Sequence, residues 1–222
     1  MNKINVTKRF DPVEHFMERI DPNTGELKPM IYKLLDPKHP MVQTKMTPWT
    51  ETNGSLEDRK EFTKDMVETM RHYGGIGMSS NQVGYASRMF VWGDNNNYIA
   101  CFNPKITDES ETKIPIEEGC LSYPGLFVKI YRPDRISVEF EDEDGVVHTD
   151  DLGGIECRVF QHEMDHMDGI DFTKRASKMS LDIAKRKRKR GLLKLKRAHG
   201  KDILTRQRLM NPEKSDLATE KT

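Results

Sequence analysis

The sequence predicts an α+β protein in which two helices flank a group of β-strands and a basic helical tail follows. Two observations support this class. Apolar residues recur at helical spacing in two separate segments, whereas several stretches between them are apolar or alternate as strands do. Strands that follow one another between helices, without regular alternation of the two, favour α+β over α/β.

The composition indicates one compact domain with appendages. The chain has 222 residues, of which 35% are hydrophobic and 32% are charged, so we expect part of it to lie outside a core. The sequence contains no run of about 18 apolar residues, the length that spans a membrane. Three irregularly spaced cysteines indicate no disulfide framework, and we expect a soluble protein of a reducing compartment.

The first helix is predicted to follow a long irregular region. Residues 1–29 are expected to form an N-terminal extension bounded by the turn-rich stretch DPNTGELKP, and residues 30–53 to be irregular with short extended pieces. Ser55 is a suitable N-cap with Asp58 at the capping-box position, and Gly74 is expected to stop the helix.

The middle of the chain is predicted to form strands. SRMFVWG, YIACFNPKI and RISVEFEDEDG are apolar or alternating segments bounded by Gly, Asn and Pro, and EDEDG followed by VVHTDDL indicates a hairpin. A second helix is predicted from about Gly154 to Gly169.

This second helix carries an H-E-x-x-H pattern formed by His162, Glu163 and His166. Residues four apart lie on one helical face, so both imidazoles can reach one metal ion, and the glutamate can move protons beside it. A catalytic metal site usually has three protein ligands, so a third must come from elsewhere.

Downstream of the helix, the residues fit the patterns of zinc proteases poorly. Phe172 stands where one protease class has a histidine, and the next glutamate, Glu213, lies close to the C-terminus. Asp168, Asp171 and Asp182 stay open as ligands at this point.

Upstream, Cys120 follows Gly119, which lets the backbone approach a site closely. A thiolate is a strong ligand for a divalent metal, and this residue would complete a three-ligand set with His162 and His166. The alternative is a cysteine nucleophile paired with a histidine, which would leave Glu163 and the second histidine without a role.

Three motifs in this order resemble the signatures of the peptide deformylases: GIGMSSNQ, EGCLS and QHEMDH. The resemblance covers roughly residues 30–175 and implies antiparallel sheets wrapped around a central helix that carries H-E-x-x-H. The matching positions are Gly75, Gly77, Gln82, Glu118, Gly119, Cys120, Leu121, Ser122, Gln161, His162, Glu163, Asp165 and His166.

The resemblance implies removal of the formyl group from N-formylmethionine of nascent polypeptides. A water molecule on the metal would attack the formyl carbon, Glu163 would act as general base and then acid, and Gln82 and the Leu121 N–H would donate to the oxyanion. The implied metal is Fe²⁺, which Ni²⁺, Co²⁺ or Zn²⁺ can replace. The implied ligands are Cys120, His162 and His166.

The same resemblance assigns supporting residues. Substrate would be bound by Gly75, Ile76, Gly77 and Gly119, and the ligands would be supported by Asp165, Glu118 and Gln161.

Three positions depart from the family pattern. Ser79 and Ser80 stand where the family usually has two alanines, and their hydroxyls are expected to alter the pocket lining. Phe127 stands about where many members carry an arginine that helps to hold the substrate backbone.

The C-terminal part is electrostatically distinct. Residues 173–222 hold 17 Lys+Arg and 5 Asp+Glu, whereas residues 1–172 hold 19 and 31. We expect a basic helical tail over residues 176–210, with KRKRKR at 185–190, and a disordered terminus over 211–222.

Some deformylases carry such a helix near the ribosomal exit tunnel, so the ribosome is the expected partner of this tail. A bacterial or virus-infected bacterial cytoplasm, no membrane and a monomer are favoured. The rival functions are an H-E-x-x-H metalloprotease and an inactive ribosome-binding homologue.

Overall fold

The computed structural model describes residues 28–210, and for residues 199–210 only their backbone. The predicted N-terminal extension, except for its last two residues, and the predicted disordered terminus therefore lie outside the described residues. The described helices are α1 (Leu56–His72), α2 (Gly154–Met167) and α3 (Lys178–Met210). The strands are β1 (Gly77–Ser79), β2 (Met89–Gly93), β3 (Tyr98–Glu109), β4 (Lys113–Gly119), β5 (Phe127–Pro133), β6 (Arg135–Glu141) and β7 (Val147–Gly153).

Two antiparallel sheets form around α2. Five strands pair in the order β1-β2-β3-β6-β7, and β4 pairs with β5 in a separate two-stranded sheet. The predicted α+β class is confirmed, as are the three predicted strands and the hairpin, which is the β6–β7 pair. β1, β4 and β5 were not predicted, because β1 has three residues and β4 combines a proline with three charged residues.

β2 shows why the large sheet lies between two helices. Successive side chains of a strand point to opposite faces. Phe90 and Trp92 belong to the apolar cluster around α2, whereas Met89 and Val91 belong to the cluster around α1. Because β2 is buried on both faces, its sequence is a continuous apolar run. The contacts of Phe90 and Trp92 with the first cluster hold α2 against the sheet.

The ends of the helices follow the predicted chemistry. Ser55 and Asp58 form the capping box at the start of α1, an interaction typically worth about 1 kcal/mol. Gly169 follows α2 with a φ of +68°, and a β-carbon there would lie 2.7 Å from the carbonyl carbon of Thr44. The chain can therefore leave α2 beside residues 43–44 only with glycine at this position.

A third apolar cluster joins the start of α3 to β5. Leu126, Val128 and Ile130 pack with Phe172 and with Ala184, which is 5% exposed. The first turns of α3 thus belong to the folded body. Among the described residues, no helix combines the length and apolar character needed to cross a membrane.

Candidate metal centre

α2 brings two histidines to one point. His162 and His166 are four residues apart, buried, and their ring centroids lie 5.3 Å apart. Cys120 directly follows β4, and its Sγ lies 3.3 Å from Nε2 of His166. One ligand atom from each of the three residues lies within 4.8 Å of the other two.

The donor set suits a divalent transition metal. One thiolate and two imidazoles match the ligand preferences of iron, cobalt, nickel and zinc, and three protein ligands leave a position for a reactant. Burial raises the pKa of the Cys120 thiol, but the imidazoles of His166 and His162 outweigh it and lower that pKa to about 6. A thiol with a pKa this low is largely ionised near neutral pH, and the thiolate is the form of cysteine that binds metals.

The downstream aspartates do not join this set. Asp168 pairs with Nη1 of Arg88 at 2.9 Å, and Asp171 accepts a hydrogen bond from the Tyr123 hydroxyl. Within the side chains that the structure describes, the one group of three residues close enough to share an ion is Cys120, His162 and His166.

Glu118 contacts the Nδ1 side of the His162 ring. Its Oε2 lies 3.0 Å from His162 Nδ1, which leaves Nε2 for a metal. Arg132 and Arg158 donate to the same carboxylate. Burial raises the pKa of Glu118, but the hydrogen bonds of His162 and Arg132 lower it to about 2, so the carboxylate stays charged.

Asp165 and Gln161 hold α2 rather than a ligand side chain. Asp165 pairs with Nη1 of Arg132 at 2.7 Å and with Nη2 of Arg175 at 2.6 Å. Gln161 Nε2 donates to the Pro133 carbonyl at the end of β5, at 3.0 Å. Both residues therefore join the ligand helix to neighbouring segments.

Two arginines were missed at the level of the sequence. β5 buries alternate residues, and Arg132 continues the buried phase of Val128 and Ile130. Arg158 lies on the buried part of α2, 3% exposed. A charged residue in the inward phase of an apolar pattern is the signal that would have found them, because such a charge requires a buried partner.

Glu163 and Gln82 lie in the wall of the same cavity as Cys120 and His162. Glu163 is 3% exposed and its Oε2 accepts from the Ser79 hydroxyl at 2.6 Å. Gln82 Nε2 donates to Ser122 Oγ at 3.0 Å and lies 3.5 Å from Cys120 Sγ. An amide donor and a carboxylate thus stand beside the three candidate ligands.

A cavity of about 550 Å³ opens onto this constellation. Glycines form part of its wall, and a β-carbon at Gly77 would lie 2.5 Å from Glu163 Oε1. Phe127, 55% exposed, borders the cavity against Gly119, where its ring presents an apolar surface. The cavity is lined by the predicted residues Gly75, Ile76, Gly77, Gly119, Cys120, Leu121, Gln82, His162 and Glu163.

Neither of the two serines lines this cavity itself, but the Ser79 hydroxyl bonds to Glu163, which does. Both are fully buried. The Ser79 hydroxyl meets Glu163, whereas the Ser80 hydroxyl donates to the Ser87 carbonyl.

The chain is similar to known peptide deformylases in sequence. A sequence model described as polypeptide deformylase matches residues 31–182. The peptide deformylase of Thermotoga neapolitana is 40% identical over 155 residues, covering 66% of this chain and 92% of its own.

Two solved structures are similar as well. The peptide deformylase of Thermotoga maritima superimposes with a TM-score of 0.63 and 36% identity, covering 66% of this chain and 98% of its own. A probable peptide deformylase from Synechococcus phage S-SSM7 gives a TM-score of 0.62 and 32% identity, covering 65% of this chain and 99% of its own.

Proposed function

The chain belongs to the polypeptide deformylase family, and from that membership we propose how its residues remove the formyl group from N-formylmethionine of nascent polypeptides. Deformylation of polypeptides is the activity of this chain. The observation that carries the proposal is the convergence of Cys120, His162 and His166, where Cys120 and His162 share the wall of one cavity with Glu163 and Gln82.

We propose that Cys120, His162 and His166 hold the metal ion. A bound divalent ion supplies Lewis acidity, which lowers the pKa of water from 15.7 towards about 7. Fe²⁺ is the proposed ion on the family resemblance, with Ni²⁺, Co²⁺ or Zn²⁺ as substitutes. Glu118 fixes the ring of His162, while Asp165 and Gln161 hold the helix that carries both histidines.

Glu163 is the proposed general base and acid. It takes a proton from the attacking water and returns it to the amine nitrogen as the C–N bond breaks. Gln82 Nε2 and the backbone N–H of Leu121 are the proposed donors to the oxyanion. Support comes from the position of all three residues in the cavity wall.

The first two residues of the substrate are proposed to lie along Gly75, Ile76, Gly77 and Gly119. Absence of β-carbons at the three glycines allows backbone-to-backbone approach. Phe127 borders the same cavity with an apolar ring in place of a cation, so the proposed contact there is apolar packing against a substrate side chain.

A formyl-Met tripeptide and the same tripeptide without the formyl group test the activity. The purified protein is expected to release formate from the first and to leave the peptide bonds of both intact. Cleavage of an internal peptide bond would instead support the metalloprotease alternative, and absence of both activities would support the inactive homologue.

Metal analysis after anaerobic purification tests the ion. We expect about one divalent ion per chain, loss of activity on chelation, and restoration by Fe²⁺ or Ni²⁺ that exceeds restoration by Zn²⁺. A cysteine hydrolase would keep its activity after chelation.

We propose that the basic tail, residues 176–210, binds the ribosome in a bacterial or virus-infected bacterial cytoplasm and that the protein acts as a monomer. The charge of residues 185–190, all Lys or Arg, supports a polyanionic partner. Lys185, Lys189 and Lys196 lie with Leu192 and Leu193 on one surface of α3.

Truncation after Ala184 tests the tail, because it keeps the buried Ala184 while it removes the basic run. The full chain is expected to sediment with ribosomes in a salt-dependent manner, and the truncated chain to stay in the supernatant with its deformylase activity intact. Equal sedimentation of the two chains would contradict ribosome binding through the tail.

A further inference from the structure

We propose that Ser79 is a positioning residue for Glu163: its hydroxyl anchors one carboxylate oxygen, so that the other oxygen exchanges the proton. The proposal rests on the proposed function of Glu163 as base. It goes beyond the family resemblance, since the family usually has an alanine at this position.

The contact is short and sealed from solvent. Ser79 Oγ donates to Glu163 Oε2 at 2.6 Å, a distance typical of a hydroxyl bound to a charged carboxylate. Ser79 is 0% exposed and Glu163 is 3% exposed. A hydrogen bond in such surroundings is stronger than in water, and its loss leaves a buried acceptor without its donor.

The two carboxylate oxygens have different surroundings. Oε2 is held by Ser79, whereas Oε1 faces Gly77 closely enough that a β-carbon there would lie 2.5 Å away. Gly77 and Glu163 both border the cavity, and Ser79 does not. The geometry therefore assigns Oε2 to anchoring and Oε1 to proton exchange with a reactant in the cavity.

The backbone of Ser79 has a separate role. Its N–H donates to Gln82 Oε1 at 2.9 Å, which turns Gln82 Nε2 towards Ser122 and Cys120. One residue of β1 thus holds both proposed reactive side chains, the carboxylate through its hydroxyl and the amide through its backbone. A side-chain substitution removes the first bond and leaves the second.

The proton balance is simple with this assignment. Water forms the new C–O bond and gives one proton to Glu163 Oε1. That proton passes to the amine nitrogen as the C–N bond breaks, and formic acid and the free amine leave. The second proton of the water stays on the formic acid, which releases it to solvent to give formate. The Ser79 hydroxyl donates to Oε2 throughout and neither gains nor loses a proton.

Ser79→Ala tests the proposal, with Ser80→Ala as the matched control. Both serines are 0% exposed and both hydroxyls donate within the core, but only the Ser79 hydroxyl reaches Glu163, mainly its carboxylate at 2.6 Å and more distantly its carbonyl at 3.4 Å. For a formyl-Met tripeptide we expect Ser79→Ala to lower kcat about tenfold with KM within about twofold, since the lost bond orients the base and not the substrate. Ser80→Ala is expected to keep the kcat of the unsubstituted chain.

Thermal midpoints and metal content separate positioning from a general structural role. We expect both variants to keep their metal and to show similar losses in midpoint. A kcat for Ser79→Ala equal to that of Ser80→Ala would overturn the proposal. An equal fall in the kcat of both variants, relative to the unsubstituted chain, would overturn it too. Neither result affects the proposed function, whose failure would be loss of formate release in the unsubstituted chain.

Two further measurements make the assignment specific. In the Glu163→Gln background, Ser79→Ala is expected to change residual single-turnover activity less than twofold, because the proton-exchanging carboxylate is already absent. A tenfold fall in that background would place the hydroxyl in another role. A crystal structure of Ser79→Ala is expected to show the Glu163 carboxylate rotated, and an unmoved carboxylate would contradict anchoring.

Discussion

Arg132 and Glu118 form a two-bond ion pair beside His162, a candidate metal ligand. Arg132 Nε and Nη2 lie 2.7 and 2.9 Å from the two oxygens of Glu118, and the side chains are 6% and 3% exposed. The same carboxylate meets His162 Nδ1 at 3.0 Å. A cation on β5 therefore fixes the carboxylate that orients the imidazole.

Glu118→Gln is expected to weaken both metal binding and the fold. The amide lacks the charge that Arg132 and Arg158 require, and loss of one partner from a buried ion pair typically costs about 3–5 kcal/mol. Loss of the group that orients a metal-binding histidine typically lowers metal affinity about 10–100-fold. Competition with a chelator measures the affinity, and denaturant unfolding measures the stability.

The control for that variant is Glu117→Gln. Glu117 is the preceding residue on β4, its side chain is 57% exposed, and its contact with Lys187 is 3.9 Å long. An exposed pair of this kind contributes little. Equal metal loss in the two variants would exclude Glu118 as the orienting group.

Glu163→Gln is expected to retain the metal and lose about 10²–10⁴-fold in kcat, because the amide cannot accept the proton at neutral pH. Formate release measures the loss in kcat, and metal analysis of the same preparation measures whether the metal is retained. Glu156→Gln, an exposed change in the first turn of the same helix, is the control. Activity near that of the control would rule out the general-base role.

Gln82→Leu is expected to lower kcat about 10²–10³-fold, the usual effect of removing one oxyanion donor, with a much smaller change in KM. Leucine keeps most of the side-chain volume but has no N–H. Gln43→Leu, on the exposed 3₁₀ turn Pro40–Gln43, supplies the same chemical change away from the cavity. A rise in KM alone would instead indicate that Gln82 binds substrate without stabilising the oxyanion.

Acid stability is expected to depend on Glu141. Burial raises the pKa of this carboxyl, but hydrogen bonds from Asn103 and Arg59 outweigh it and hold the pKa below its usual 4.5. A carboxyl with a lowered pKa stabilises the fold above its unfolded pKa, and that stabilisation is lost as the pH falls below about 4.5.

Thermal midpoints between about pH 3 and 7 test this dependence, since Glu141→Gln should flatten the acid part of the curve. Glu139→Gln removes an exposed carboxylate two residues away on the same strand and should leave the curve unchanged. The prediction fails if the two variants give the same acid slope.

The two histidine ligands and the helices α1 and α2 could be predicted from the sequence because each depends on local spacing. His162 and His166 need only a helix to share a face, and Ser55 with Asp58 marks where α1 begins. Cys120 required more, since its distance from His166 depends on how β4 lies against α2.

The partners of these residues could not be predicted in the same way. The bond from Ser79 to Glu163 spans 84 positions, and that from His162 to Glu118 spans 44. Neither separation has a period that a sequence pattern reveals, because both follow from the packing of β1 and β4 on one helix. The β4–β5 pair also escaped prediction, because β4 contains a proline and three charged residues and its register with β5 is set by cross-strand contacts.

The burial of Ala184 against β5 divides the last helix into two parts with different freedom to vary. Changes before that residue alter a packed surface, whereas the arginines and lysines after it extend from a fold that is already complete. The helix after Ala184 can therefore be shortened or changed in charge without altering the packing of Ala184 against β5.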